Sequence, residues 1–189
     1  DYTIKMTFGD QTATEKITVT YDPRVEMSYD VLKSKYDLTK QLETKMENVA
    51  NASQQLAVSK EIVEDYQKRI KALKKKEEHK DILKEHKDIL KKITDIQDEL
   101  FGKADRRQGI TATEFPSSIS YLYSASSYVN SLTKKPGNTE LTLIKNAETK
   151  IRVIIAKINE FHKNDWPKYQ ASVKNIDFSP FKEVEEAKY

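Results

Sequence analysis

The sequence predicts a mainly α protein: an antiparallel bundle of about four helices, with a long projecting helical hairpin and an N-terminal β-hairpin. Three observations carry this. The 78 residues from Arg24 to Phe101 contain neither glycine nor proline, the residues that most readily interrupt a helix. Apolar residues recur at helical spacing through that stretch and again over 141–161. Ahead of them, two short segments alternate apolar and polar side chains with the period of a strand.

Tyr2, Ile4, Met6 and Phe8 fall on one face of the first segment, with Thr3, Lys5 and Thr7 on the other. Gly9-Asp10 suits a hairpin turn, and beyond it Ile17, Val19 and Tyr21 alternate with Lys16, Thr18 and Thr20. A lone hairpin is marginal in water, so its apolar face needs cover from the helices or from strands outside this chain. The second source is expected, which leaves Tyr2, Ile4, Phe8, Ile17 and Val19 partly exposed or paired with another copy. Because the chain opens at Asp1 in mid-strand, it is read as a piece of a longer polypeptide. Residues 1–22 are assigned to the hairpin, as the last strands of an immunoglobulin-like domain, and 28–178 to the bundle.

Asp22-Pro23 stops the strand. Ser28 is a plausible N-cap, with Asp30 in the first turn, where the helix dipole favours an anion. Val31, Leu38, Leu42, Met46, Val49, Leu56, Val63, Tyr66, Ile70 and Leu73 then form one stripe, and Ile82, Ile89, Ile93, Ile96 and Leu100 a second. An unbroken helix of this length would run about 115 Å, too long for a compact domain, so a fold-back is expected at the polar run 74–78.

Gly102 to Thr113 reads as a loop, followed by a helix over about 115–134 that Thr111 with Glu114, or Thr113, caps. Its Ser117, Ser118, Ser124, Ala125, Ser126 and Ser127 permit close approach of a neighbour. After a turn at Pro136-Gly137, Leu141, Ile144, Ile151, Ile154, Ile155, Ile158 and Phe161 make the strongest apolar stripe. Asp165-Trp166-Pro167 kinks or restarts that helix, Tyr169, Val173 and Ile176 continue it, and Ser179-Pro180 opens a polar tail.

Composition narrows function less than fold. Lys and Arg number 33 against 30 Asp and Glu, too even a balance for the basic footprint of a nucleic-acid binder. Between Lys60 and Lys92 the two signs interleave, as on a solvated helix face. No apolar run approaches the roughly 18 residues of a membrane span. The absence of cysteine removes disulfides, thiolate metal sites and a cysteine nucleophile.

His79-Lys80-Asp81-Ile82-Leu83 recurs as His86-Lys87-Asp88-Ile89-Leu90. Two histidines seven residues apart on one helix differ by about 10 Å of rise, too far for one metal ion, so a duplicated heptad is the better reading. His79, His86 and His162 lack a serine–aspartate context for nucleophilic chemistry. The four glycines form no phosphate-binding loop. No catalytic, cofactor or metal residue is therefore nominated. Trp166 and Tyr169 could form a sugar-stacking platform, although sealing a helix kink is the simpler role. Ile82 and Ile89 are the candidates for contact with a partner helix.

The segments Tyr2-Thr3-Ile4-Lys5-Met6-Thr7-Phe8-Gly9, Ile17-Thr18-Val19 and Asp22-Pro23-Arg24-Val25 resemble the strand-to-helix junction of a family of large secreted bacterial proteins. These carry a sortilin-like β-propeller of Asp-box (BNR) repeats, then an immunoglobulin-like sandwich, then a C-terminal helical region, and are often labelled glycosyl hydrolases. Glu160-Phe161-His162, Trp166-Pro167-Lys168-Tyr169 and Ser179-Pro180-Phe181 resemble the end of that helical region. The lysine- and glutamate-rich repeat over 74–92 departs from it.

The resemblance implies a non-catalytic C-terminal structural or interaction module, secreted or in the periplasm or cell envelope. It would pack against the upstream β-domain of the same polypeptide, with self-association as a further partner mode and no cofactor, nucleic acid or membrane span. The propeller's Asp-boxes do not occur here, so no catalytic residue carries over. Two alternatives are an accessory part of a glycoside hydrolase with a carbohydrate-facing surface, and a coiled-coil adaptor for partner helices.

Overall fold

A computed structural model describes residues 1–20, 22, 24, 27–73, 79–103 and 116–176. Strands β1 (Tyr2–Phe8) and β2 (Gln11–Ile17) precede helices α1 (Tyr29–Ala72), α2 (Lys80–Phe101), α3 (Ser118–Asn130), α4 (Asn138–Glu160) and α5 (Trp166–Val173). The mainly α class and the N-terminal antiparallel hairpin are as the residue pattern predicts.

β1 and β2 pair from Tyr2 opposite Ile17 to Phe8 opposite Gln11. The turn is the expected Gly9-Asp10. Gly9 sits at φ +55° and no described residue other than glycine has positive φ, the pattern of a type II′ turn, whose first central position favours glycine. At the open end the Thr18 hydroxyl donates to Asp1 Oδ1 at 2.6 Å. The second strand begins earlier than the 17–21 alternation suggested: a two-residue turn makes Gln11 the first partner, and Val19 lies past the last pair. Tyr21 and Pro23 lie outside the described residues.

Helix α1 runs 44 residues, about 66 Å at 1.5 Å per residue. Ser28 is its N-cap, but its hydroxyl makes no capping hydrogen bond; its carbonyl accepts from the amides of Val31 and Leu32 at 3.1 and 3.2 Å. The stripe foreseen for α1 is buried at Val31, Leu42, Val49, Leu56, Val63 and Ile70, joined by Ala52 and Ser59. α1 packs against α2, α3 and α4 in turn, which makes it the spine of the bundle. The fold-back at 74–78 lies outside the described residues.

α3 starts later than 115 and ends before 134. Its cap is Ser117, whose Oγ accepts from the Ser120 amide at 3.3 Å. Pro116 precedes the cap and sits outside the helix. Thr111, Thr113 and Glu114 lie outside the described residues. At the far end the Ser131 hydroxyl turns back to the Tyr128 carbonyl at 2.9 Å. Small residues let α3 lie close on α4, with Ala125 and Ala147 both fully buried. α4 opens at Gly137, where Glu140 Oε2 accepts from the Gly137 amide at 2.8 Å, half of a capping box.

One core runs through the described helices, with Leu56, Val63, Ile93, Leu100, Leu122, Val129, Ile154 and Ile158 at its centre. Ion pairs cross it at the surface: Lys45–Glu148 at 3.0 Å, Lys157–Glu99 at 2.5 Å and Lys92–Asp165 at 2.6 Å. Exposed pairs of this kind each contribute about 0–1 kcal/mol, so apolar burial, not charge, holds the helices together. No described helix is long and apolar enough to cross a membrane.

Candidate functional site

Between α4 and α5 the backbone makes one π-helical turn, Phe161–Asp165. The Trp166 amide donates to the Phe161 carbonyl, five residues back. Pro167 explains it. Inside a regular α-helix its ring would clash with the carbonyl four residues earlier and its missing N–H would orphan that acceptor. A widened turn accommodates both, and such turns are common where a helix serves a special purpose.

The extra residue also rephases the helix. Buried positions step from Ile154 and Ile158 to Phe161, and then to Tyr169 and Val173, with Trp166 half-buried between them. Past the π turn, Tyr169 and Val173 are the buried residues of α5.

Two histidine–hydroxyl pairs meet this segment. His86 on α2 is fully buried. Its Nδ1 lies 2.5 Å from the Ile82 carbonyl oxygen and its Nε2 3.1 Å from the Tyr169 hydroxyl. A carbonyl only accepts, so in the neutral ring Nδ1 carries the proton and Nε2 accepts from Tyr169. The rings meet edge to face at 87° with centroids 5.2 Å apart.

His162, in the π turn, repeats the arrangement. Its Nδ1 donates to the Ile158 carbonyl at 3.0 Å, and its Nε2 lies 3.1 Å from Ser59 Oγ on α1. Ser59 Oγ also lies 3.0 Å from the Gln55 carbonyl, so its single proton is shared between two acceptors. Every buried side-chain nitrogen and oxygen among the described residues has a partner.

Trp166 and Tyr169 complete the cluster with ring centroids 5.5 Å apart, and Phe161 lies 6.2 Å from Trp166. Tyr169 is 1% exposed. Burial, followed by the negative potential of Tyr66 and Glu85, holds its phenol well above the ordinary value of 10.0. A raised folded-state value favours the protonated phenol. This stabilisation is complete below pH 10 and is lost as pH climbs above it, because the unfolded chain ionises first. Melting temperature measured from pH 8 to 11 should therefore fall more for the wild type than for Tyr169→Phe. Parallel curves would refute the assignment.

What the cluster can do chemically follows from its exposure. Ser59 and His162 are at nucleophile–base distance, yet Ser59 is 4% exposed. It also sits in mid-helix, where backbone amides already serve the helix ladder and none is left to stabilise an oxyanion. The geometry is that of interhelical ties: His86–Tyr169 joins α2 to α5, and Ser59–His162 joins α1 to the π turn. Among the described residues no three His, Asp or Glu side chains converge as a metal would need.

The residues singled out from sequence lie as follows. Trp166 is half-buried and Tyr169 buried, and the two rings pack against each other at the kink. Ile89 is in the core, and Ile82 is half-buried and packs against it. His79 caps α2 and is half-buried, whereas His86, seven residues on, is in the core. The duplicated heptad is therefore not equivalent in its two copies.

The hairpin is the opposite case. All fourteen strand residues are exposed. Directly opposed residues share a face, which groups Tyr2, Ile4, Met6 and Phe8 with Gln11, Ala13, Glu15 and Ile17. Its large apolar members are between 41% and 84% exposed. No family model, curated protein or solved structure matches this chain.

Proposed function

We propose that this chain is a non-catalytic structural and interaction module, in which a rigid helical bundle carries a β-hairpin that docks onto other β-structure. One observation carries the reading. Tyr2, Ile4, Met6, Phe8 and Ile17 form a contiguous apolar sheet face, and none of them joins the bundle core. A two-stranded hairpin does not hold such a face open to water without a partner. The resemblance to secreted bacterial Asp-box propeller proteins supports the same reading. It places the module beside a β-domain of one polypeptide in the cell envelope or outside the cell, and the work of any active site elsewhere.

A carbohydrate-facing surface built on Trp166 and a helix-binding arm built on Ile82 and Ile89 find less support, since Ile89 is buried and Trp166 and Ile82 are half-buried against the core. Deleting residues 1–20 is the test. The bundle should keep its helicity and melt within about 1 °C of the full chain, because exposed strands contribute little to it. A drop of more than roughly 5 °C would mean that the hairpin belongs to the bundle core, and the docking reading would fail.

A further inference from the structure

We propose that the occupant of the hairpin's apolar face is a second copy of this chain, stacked hairpin on hairpin about a two-fold axis. The inference rests on the docking reading above and names its partner.

The two faces of the hairpin differ in kind. Thr3, Lys5, Thr7, Thr12, Thr14 and Lys16 make the other face, which is polar throughout and suited to water. On the apolar face β1 contributes an unbroken row, Tyr2, Ile4, Met6 and Phe8, whereas β2 alternates Gln11, Ala13, Glu15 and Ile17. The face is hydrophobic along β1 and carries a single charge, Glu15, along β2. One wet face and one apolar face is the pattern of a sheet that forms half of a sandwich.

Area argues for a partner of the same size and kind. Large apolar and aromatic side chains each carry on the order of 150–250 Å². At the exposures seen here, the five large apolar side chains present roughly 650 Å², at the upper end for a patch on a stable monomer. Two such faces stacked together remove up to roughly 1,300 Å², within the about 1,200–2,000 Å² of a specific interface.

A second copy supplies a face of matching length and apolar character along β1, and an isologous contact closes on itself. Crossing β1 over its counterpart at the middle of the four-residue row puts Ile4 and Met6 nearest the axis. Glu15 then stays at the rim, where its carboxylate remains hydrated.

The test uses the full chain in sedimentation velocity and reads oligomeric state against concentration. The wild type should dimerise. Ile4→Lys and Phe8→Lys should weaken association by roughly a hundredfold, with helicity unchanged, while Thr7→Lys on the polar face should leave the dimer intact. The chain has no cysteine, which provides a second readout that does not disturb the face with charge. Oxidised Met6→Cys should form a covalent dimer, and oxidised Thr7→Cys should not.

A wild type that stays monomeric at high concentration would overturn the proposal and leave the face to a β-domain. So would a dimer that survives Phe8→Lys, or cross-linking through Thr7→Cys in place of Met6→Cys. A monomer whose bundle is indifferent to loss of residues 1–20 defeats only this proposal. A bundle that collapses on that deletion defeats the docking reading itself.

Discussion

Ile89→Asp is expected to unfold the bundle rather than to dissociate an assembly. Ile89 is 5% exposed and lies in the core beside Ile93. A carboxylate there loses its hydration with no cation or donor built to receive it, a cost of several kcal/mol. The loss exceeds about 4 kcal/mol once the missing apolar contacts are added, a large part of the total stability of a domain this size. Far-UV circular dichroism with urea titration would show it. Preserved helicity and stability, accompanied by lost self-association, would instead mean that Ile89 faces a partner helix.

Tyr169→Ala should cost about 3–5 kcal/mol, the range for removing a buried aromatic ring. The ring contacts both His86 and Trp166, and its removal leaves His86 Nε2 buried without its donor. Tyr169→Phe isolates the hydroxyl. It keeps the ring, loses one hydrogen bond to a buried acceptor, and should cost about 1–3 kcal/mol. Double-mutant cycles with His86→Leu would then give a coupling energy for the pair. Additive losses in the two single variants would show that the hydrogen bond between α2 and α5 contributes nothing, and that only packing joins them.

His86 and Ser59 show how a candidate residue can be overlooked. The heptad duplication drew attention to the spacing between His79 and His86 and away from the phase of the second. Yet Ile82, His86, Ile89 and Ile93 step by four, three and four, so His86 lies on the apolar stripe. Ser59 does the same between Leu56 and Val63. A polar residue in phase with an apolar stripe must be buried with a partner across the interface, and that signal was available in the residues alone. The partner's identity was not. Tyr169 and His162 are 83 and 103 residues away along the chain from His86 and Ser59, and no local pattern spans such a distance.

Helix boundaries were legible in proportion to their local chemistry. The glycine-proline turn at 136–137 and the Gly9-Asp10 turn are marked by residues whose backbone preferences decide the matter on their own. The start of α3 was misjudged because Thr111, Thr113 and Ser117 all have capping side chains. Among such candidates the choice falls to the helix that packs best. Pro167 announced an irregularity but not its form: a kink, a break and a π turn all relieve the same clash. The folded helix resolves it as a π turn over Phe161–Asp165.

The amino-acid sequence by itself determined the helical class, the N-terminal hairpin and the apolar stripe of each helix. These follow from periodicity, and periodicity is a property of neighbouring residues. Only the tertiary structure decided that Tyr169 and Ile89 are buried in the bundle, that Trp166 and Ile82 pack half-buried against its core, and that the β1 row is left outside it. Burial depends on which faces meet, and that is settled by contacts between residues far apart in the chain.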